Sequence, residues 1–444
     1  MKEELLGFIT NQDSVALNEY LEEHSPMDIC EILREMDDVD LSIFFSLLND
    51  YNLAKIIENA EEDQRFLFCK YLDNKTILDA FSFMEKDDIV DILGGLSIGR
   101  RKELINAMKT DEQHQILTLL QYPEDSAGGI MTTAYIALKE SSTVEQALNK
   151  IREIGPKTEV IEILFVVNEA GQLVGKCDLR DLLSKEHNLT LGEMMNTNVY
   201  TVTPELDQEE VAKIVAKYDL KAIPVISQKR QILGIITLDD IIDVIIEEDN
   251  EDMLSMAGVN SEENIYTSLT QSIKMRLPWL LVNLATAFLA SLTVKSFEST
   301  IAKVVALSSI MTIVTGMGGN AGTQTTSIMV RQLADSNLTF KKCVKPFIKE
   351  IFLGVIDGAV NGLVTGVIVA VIYHNIYLGL IIFLAMIGNL IIAGVFGFII
   401  PVLLKKFHQD PAVSSSIFLT TATDVLGFFI FLTLAKIFMP FLIK

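Results

Sequence analysis

Cysteine is scarce, with four residues in 444. Cys30, Cys69, Cys177 and Cys343 form no Cys-x-x-Cys pair and no Cys/His cluster. That excludes a zinc ribbon and a disulfide framework, and the four read as reduced thiols in a cytoplasmic setting. The five histidines are equally scattered. No Gly-Lys-Ser/Thr run exists: Gly94 and Gly99 are five apart, but no phosphate-cradling lysine follows, so there is no P-loop. No nucleophile triad can be assembled either, and the chain does not read as an enzyme. The segment Met1 to Thr10 carries Lys2, Glu3 and Glu4 without a long apolar core, which is not the pattern of a signal peptide. Positive charge is what residues 1–272 lack: 23 Lys+Arg stand against 53 Asp+Glu, a net of −30. Residues 273–444 lack acid instead, with 6 Asp+Glu against 13 Lys+Arg, a net of +7. An acidic surface of this strength repels nucleic acid and favours cations as partners.

Three sections follow along the chain. In residues 24–124 an apolar residue followed by a polar turn recurs every 12 positions, at Met36, Leu48, Ala60, Leu72, Met84, Leu96, Met108 and Leu120. Between turns the apolar residues fall at helical spacing, as at Ile89, Leu93 and Leu96. Twelve residues make a short helix plus a turn, and two units make one hairpin of a helical solenoid. Residues 131–250 change character. Ile163 to Val167 and Ala222 to Ile226 read as strands. Gly175-Lys-Cys-Asp-Leu-Arg-Asp181 aligns with Gly234-Ile-Ile-Thr-Leu-Asp-Asp240, and each copy opens on a methionine, Met131 or Met195. This tandem β-α-β-β-α pattern resembles a pair of CBS domains. Residues 277–444 hold five apolar segments, roughly 277–294, 304–330, 351–373, 377–404 and 412–443. Each is long enough to cross a bilayer as a helix. The expected architecture is therefore a multidomain α-helical membrane protein. It comprises an acidic helical solenoid (1–130), a tandem CBS pair of α+β class (131–250), an acidic connecting helix and linker (239–272) and five transmembrane helices (273–444). Nine basic residues flank one side of the spans, at 274, 276, 331, 341, 342, 345, 349, 405 and 406, against three (295, 303 and 444) on the other. By the positive-inside rule the N-terminal half is cytoplasmic and the C-terminus lies outside the cell membrane.

Polar residues within apolar spans are candidate functional groups, because burying them in lipid is costly. The second span contains Thr315-Gly-Met-Gly-Gly-Asn-Ala-Gly-Thr-Gln-Thr-Thr326. Its glycines predict a weakened or broken helix with free carbonyls around Gly316, beside Asn320, Thr323, Gln324 and Thr325. Close helix crossing through small residues is the competing reading. The fifth span carries Thr420, Thr421, Thr423 and Asp424. Asp424 lies at mid-span and faces water, a cation or a hydrogen-bonding partner. Asp357 with Asn361 is a second candidate, and Asn283 and Asn389 are weaker ones. Oxygen ligands without His or Cys favour a hard cation such as Mg²⁺ over Zn²⁺ or Cu⁺. Mg²⁺ sheds water reluctantly, so it would pass still hydrated.

The cytoplasmic half supplies acidic clusters. Asp239 to Met256 reads as a helix in which Glu247/Glu251 and Glu248/Asp252 are like-charged pairs four apart. A divalent cation would turn their repulsion into attraction. Asp243 lies on the same helix. Further clusters are Glu58, Glu61, Glu62 and Asp63, then Asp87, Asp88 and Asp91. Each is either a cation site or a solvated face. The CBS-like pair either binds an adenine nucleotide such as ATP, through Asp240 and Asp181, or serves as a dimerisation module. The first copy departs from the pattern, with Asp178 where the second has a hydroxyl residue.

Nearly the whole chain resembles the MgtE family of magnesium transporters. The motifs that carry the likeness are Tyr122-Pro-Glu-Asp-Ser-Ala-Gly-Gly-Ile-Met-Thr132, Pro278-Trp-Leu-Leu-Val-Asn283, Gly316-Met-Gly-Gly-Asn-Ala-Gly-Thr-Gln-Thr325, Asp410-Pro-Ala412 and Thr420-Thr-Ala-Thr-Asp424. The resemblance implies a homodimer with a pore between protomers, and Mg²⁺ bound by Asp424 with Asn320 and the glycine-rich segment beside it. It also implies that cytoplasmic Mg²⁺ bridges the acidic domains and closes the pore. Position 420 is Thr where some relatives have Ala, so a main-chain ligand there would survive beside an added hydroxyl. The alternatives are a carrier of another divalent cation such as Co²⁺ or Mn²⁺, a CBS-regulated anion or osmolyte carrier, or a membrane sensor that transports nothing. Asp424 without a basic partner in the spans argues against the anion carrier.

Overall fold

The computed structural model describes residues 1–155, 158, 160–260, 263, 265, 267–335, 340–407, 409–412 and 415–442. The side chains of Glu62, Asp63, Lys341 and Lys342, and Lys444 as a whole, lie outside the described residues. The chain divides into two units, Met1–Ile245 and Ile246–Lys444.

The first unit opens with ten short helices: α1 (Lys2–Asn11), α2 (Ser14–Glu23), α3 (Pro26–Arg34), α4 (Asp38–Leu47), α5 (Asp50–Glu58), α6 (Glu62–Tyr71), α7 (Asn74–Phe81), α8 (Lys86–Gly95), α9 (Ile98–Ala107) and α10 (Thr110–Leu119). Every helix starts 12 residues after the one before it. Each 12-residue unit has a capping position, an inward side chain four residues later and another four after that. Asp13, Asp37, Asn49 and Asp73 accept hydrogen bonds from backbone N–H groups of the first turn, each worth about 1 kcal/mol. The next position buries Leu17, Ile29, Leu41, Leu53, Ile77 and Ile89, and the one after it Leu21, Leu33, Phe45, Ile57, Cys69, Phe81, Leu93 and Ile105. A spacing of four puts both on one helix face. Arg65 takes the apolar position in one unit and donates to the carbonyls of Glu58 and Ala60 at 2.8 Å, closing the end of α5. While α1 packs on α4 and α2 on α5, from α3 onward each helix packs on the second one along, as α3 on α5, α5 on α7 and α7 on α9. That is the two-helix step of a solenoid.

The CBS pair follows: β1 (Ala137–Lys139), α11 (Val144–Ile154), β2 (Ile163–Val167), β3 (Leu173–Asp178), α12 (Leu179–Ser184), α13 (Leu191–Met194), α14 (Gln208–Tyr218), β4 (Ala222–Ile226), β5 (Ile232–Thr237) and α15 (Leu238–Met256). One sheet has the order β1-β2-β3, and β4 pairs with β5. The two opening methionines cross over. A Cβ on Gly175 of the first copy would meet Met195 Sδ at 2.5 Å, and one on Gly234 of the second copy would meet Met131 Sδ at 3.0 Å. Thr132 bridges to Ile235, and Asn196 to Lys176. Each copy's leading segment thus completes the other copy's sheet, and the glycine of each aligned motif makes room for it.

The second unit holds α16 (Leu269–Ser296), α17 (Glu298–Lys303), α18 (Ala306–Asp335), α19 (Phe340–Ile372), α20 (Ile376–Lys406), α21 (Ser415–Ile437) and α22 (Met439–Leu442). Among the described residues four helices are long and apolar enough to cross a membrane, namely α16, α19, α20 and α21. The fifth, α18, has the length, but glycine and threonine lower its hydropathy. It is continuous through Gly316–Gly322, which corrects the expected break. Gly318 lies against Asn389 of α20, and Gly322 against Leu419 of α21. Small residues here allow close packing, and the backbone keeps its helical hydrogen bonds. On α19, Gly354, Gly358, Gly362 and Gly366 lie directly against the α20 backbone.

Candidate functional site

In the first unit, carboxylates from three elements converge. Glu58 ends α5, Glu85 stands just before α8, Asp87 and Asp88 occupy the first turn of α8, Asp91 follows one turn later, and Asp240 sits in the first turn of α15. A helix N-terminus favours negative charge, yet here desolvation outweighs that benefit. Burial, with the charge of Asp88 next, pushes the Asp87 carboxyl up to about 7. Burial, then the charge of Glu58, pushes Asp88 up to about 7 as well. Burial also raises Glu58, Glu85 and Asp240 above the ordinary carboxylate range. Asp240 contributes to the field on both α8 aspartates. Asp87 Oδ1 is buried without a hydrogen-bond partner. Positive charge nearby is thin: Lys55 Nζ lies 3.4 Å from Glu58, and Arg65 Nη1 is 3.8 Å from Asp91. Among the described residues no three His, Cys, Asp or Glu side chains stand close enough to ligate one ion directly.

The structure therefore brings together Glu58, Asp87, Asp88, Asp91 and Asp240. Glu85 is a member that the sequence reading missed, although its place one step before the α8 acids was the available signal. Asp240 accepts from the Thr237 hydroxyl at 2.5 Å, and the α8 acids around it form a field hostile to phosphate. Asp181 is exposed on α12, away from that bond, and Asp243 is exposed on α15. Farther along α15, Glu248, Glu251 and Asp252 are half-buried. This helix has eight acidic and no basic residues among its 19.

In the second unit, α18 shows two faces. Gly318, Gly322, Thr325 and Thr326 are buried against α20 and α21, while Gly316, Asn320, Thr323 and Gln324 are exposed. Nothing lies within 4 Å of a Cβ built on Gly316 or Gly319. On α21, Asp424 is half-buried and Thr420, one turn earlier, is exposed. The threonine hydroxyls donate to their own helix: Thr420 to Ser416 O at 2.9 Å, Thr421 to Ile417 O at 2.6 Å and Thr423 to Leu419 O at 3.1 Å. They keep lone pairs free while losing their donors. Asp357 is exposed on α19, and the Asn361 amide donates to its carbonyl. Glu350, which the sequence reading passed over, accepts from the Thr325 hydroxyl at 3.0 Å. Ahead of α16, Glu263 accepts from Arg276 Nε at 2.6 Å, with its side chain only 1% exposed.

Three family models match the chain. One described as the MgtE intracellular N domain covers residues 24–125, and the CBS domain covers 127–188 and 191–247. One described as a divalent cation transporter, MgtE, covers 311–434. The magnesium transporter MgtE of Bacillus subtilis (strain 168) is 30% identical over 418 residues, 94% of this chain and 93% of that protein. The chain belongs to the MgtE family. The magnesium transporter MgtE of Thermus thermophilus is 29% identical over 433 residues, covering 96% of this chain and 95% of that one. Among solved structures, the cytosolic domain of the Mg²⁺ channel MgtE in complex with ATP is 30% identical, with a TM-score of 0.53. It covers 55% of this chain and 100% of that chain. The family assignment and the apolar helices make this a multi-pass membrane protein of a magnesium transporter family. The transporter, CBS and helical-repeat character read from the sequence agrees with them.

Proposed function

We propose that the protein carries Mg²⁺ into the cell and is shut by cytoplasmic Mg²⁺ held at the α5–α8–α15 acidic cluster. The observation that carries the gating reading is the unpartnered, buried Asp87 Oδ1 among like-charged carboxylates. Such a cluster is costly when ionised and alone, and a divalent cation removes the cost. The donors are carboxylate oxygens, which suit a hard cation. Their spacing suits an ion that keeps its water shell, as Mg²⁺ does. Mg²⁺ then favours the compact arrangement over an opened one, and that difference in affinity is what makes it a switch. Asp243 extends the acidic surface on α15, and Glu248, Glu251 and Asp252 are further candidate Mg²⁺ ligands on the same helix.

For transport, Asp424 is the central carboxylate, with Thr420 on its face of α21. Gly316 and Asn320 lie on the exposed face of α18. Polar groups exposed on one protomer at membrane depth call for a partner or a water-filled path, which supports a homodimer with the ion path between copies. The distribution of basic residues supports a cytoplasmic N-terminus and an external C-terminus. An adenine nucleotide fits better at Asp181 than at Asp240, because the phosphates would meet Asp87 and Asp88 near the latter. The ATP complex of the related cytosolic domain supports some nucleotide role. The test is Mg²⁺ uptake into proteoliposomes by wild type and by Asp424→Ala. The variant should reach the membrane and dimerise, yet lose uptake. Near-wild-type uptake would sink the assignment. Running Ca²⁺, Mn²⁺ and Co²⁺ in parallel separates Mg²⁺ from the other divalent cations.

A further inference from the structure

A fully enclosed polar side chain of the second unit lies in α20, away from the exposed polar stripe. Asn389 is 0% exposed. Its Nδ2 donates to the Val314 carbonyl of α18 at 2.7 Å. Its Oδ1 is buried without a hydrogen-bond partner. The opposite amide orientation would set two oxygens face to face, so the donor must point at Val314. Glycines line both sides of the amide. A Cβ on Gly318 of α18 would fall 2.2 Å from Nδ2, and one on Gly427 of α21 would fall 2.8 Å from Oδ1.

A leucine has the same branched shape and would leave no orphaned oxygen. The amide does more than fill space, because its donor ties α20 to α18. Val314 is one turn or less from Gly316 and Gly318, and Gly427 is three residues from Asp424. A single side chain thus joins α18 just before its open stripe begins to α21 one turn past its carboxylate. The Val314 bond fixes the rotation of α18 about its axis, and with it the direction in which Gly316 and Asn320 face. We infer that Asn389 is a positioning residue that sets ion selectivity, by holding the polar face of α18 in fixed register with the Asp424 face of α21. This rests on the ion path proposed above. A hydrated ion is recognised by the spacing between facing oxygens, so a loosened register would admit ions of other hydrated size.

The test uses the full-length chain in proteoliposomes with two substitutions. Asn389→Leu keeps the branched shape and removes the donor. Asn389→Ser is too short to reach Val314 and clashes with neither glycine. Uptake of Mg²⁺ and Ca²⁺ is measured for each, beside wild type and Asp424→Ala. The expected result is at least a several-fold fall in the Mg²⁺-to-Ca²⁺ uptake ratio in both variants. An unchanged ratio, even with a slower rate, would reduce Asn389 to a packing element and overturn the inference. Failure of both variants to accumulate as folded protein would overturn it in the same way. If Asp424→Ala transports normally, the ion path itself is wrong. If Asp424→Ala is dead and the Asn389 ratio is unchanged, only the present inference fails.

Discussion

Replacing Asp87 and Asp88 together by Asn should stabilise the cytoplasmic half while abolishing its response to Mg²⁺. Both carboxyls lie near 7 in the compact state, against 3.8 when free. A folded-state value raised above the free one means that the opened state ionises first. The compact state therefore loses stability as pH climbs from about 4 to 7 and bears the full cost above that. At 1.36 kcal/mol for each tenfold change, the cost is on the order of 4 kcal/mol for either carboxyl alone at pH 7.5, and the two costs do not add, because the charge of Asp88 is part of what raises Asp87. Mg²⁺ at a hundred times its dissociation constant would return about 2.7 kcal/mol. Asparagine keeps the shape and removes the ionisation. Limited proteolysis of the full-length protein, at pH 5.5 and 7.5 with and without Mg²⁺, reads the effect. Wild type should be cut fastest at pH 7.5 without Mg²⁺ and be protected by either acid or Mg²⁺, with K⁺ of equal ionic strength protecting far less. Asp87→Asn/Asp88→Asn should be resistant under all four conditions. If that variant is cut as fast as wild type at pH 7.5, or gains the same protection from Mg²⁺, the cluster is a solvated face and the reasoning is wrong.

Three further outcomes follow from particular contacts. Replacing Glu248, Glu251 and Asp252 by Ala together should leave Mg²⁺ influx open at internal Mg²⁺ levels that shut wild type, measured as flux against internal concentration; an unchanged closing concentration removes these residues from the gate. Gly358→Leu should prevent accumulation in the membrane, because a Cβ there would stand 2.5 Å from the Ile387 Cα, and overpacking of this kind costs about 1–3 kcal/mol or more; normal yield would mean that α19 and α20 pack less closely. A tag at the C-terminus should be labelled in intact cells and a tag at Met1 should not; the reverse pattern would invert the orientation.

The solenoid was the most legible part of the sequence, because a repeat writes its period directly: the apolar steps at 12-residue spacing fall where the helices end. The crossing of the CBS leading segments was not legible, since nothing in Met131 or Met195 says which glycine each will cover. The acids were visible as local clusters, but the meeting of Asp240 with Asp87 and Asp88 depends on tertiary packing between elements 150 residues apart in sequence. In the membrane half the glycines of α18 were read as a break. Glycine weakens an isolated helix, but here Asn389 and Leu419 fill the space beside Gly318 and Gly322, and packing prevails over propensity. Asn389 was noticed only as a weak candidate, because an asparagine in an apolar run carries no sign of whether its partner is a helix or an ion. Glu350 was passed over, because nothing near it in sequence announces Thr325.

On this mechanism the transported ion closes its own path. Mg²⁺ influx into proteoliposomes, with the cytoplasmic face turned inward and internal Mg²⁺ varied at constant ionic strength, tests it most directly. Influx beyond what the smaller gradient explains should fall steeply as internal Mg²⁺ enters the millimolar range, and K⁺ should not reproduce the effect. Influx that tracks only the gradient at every internal concentration would contradict the account.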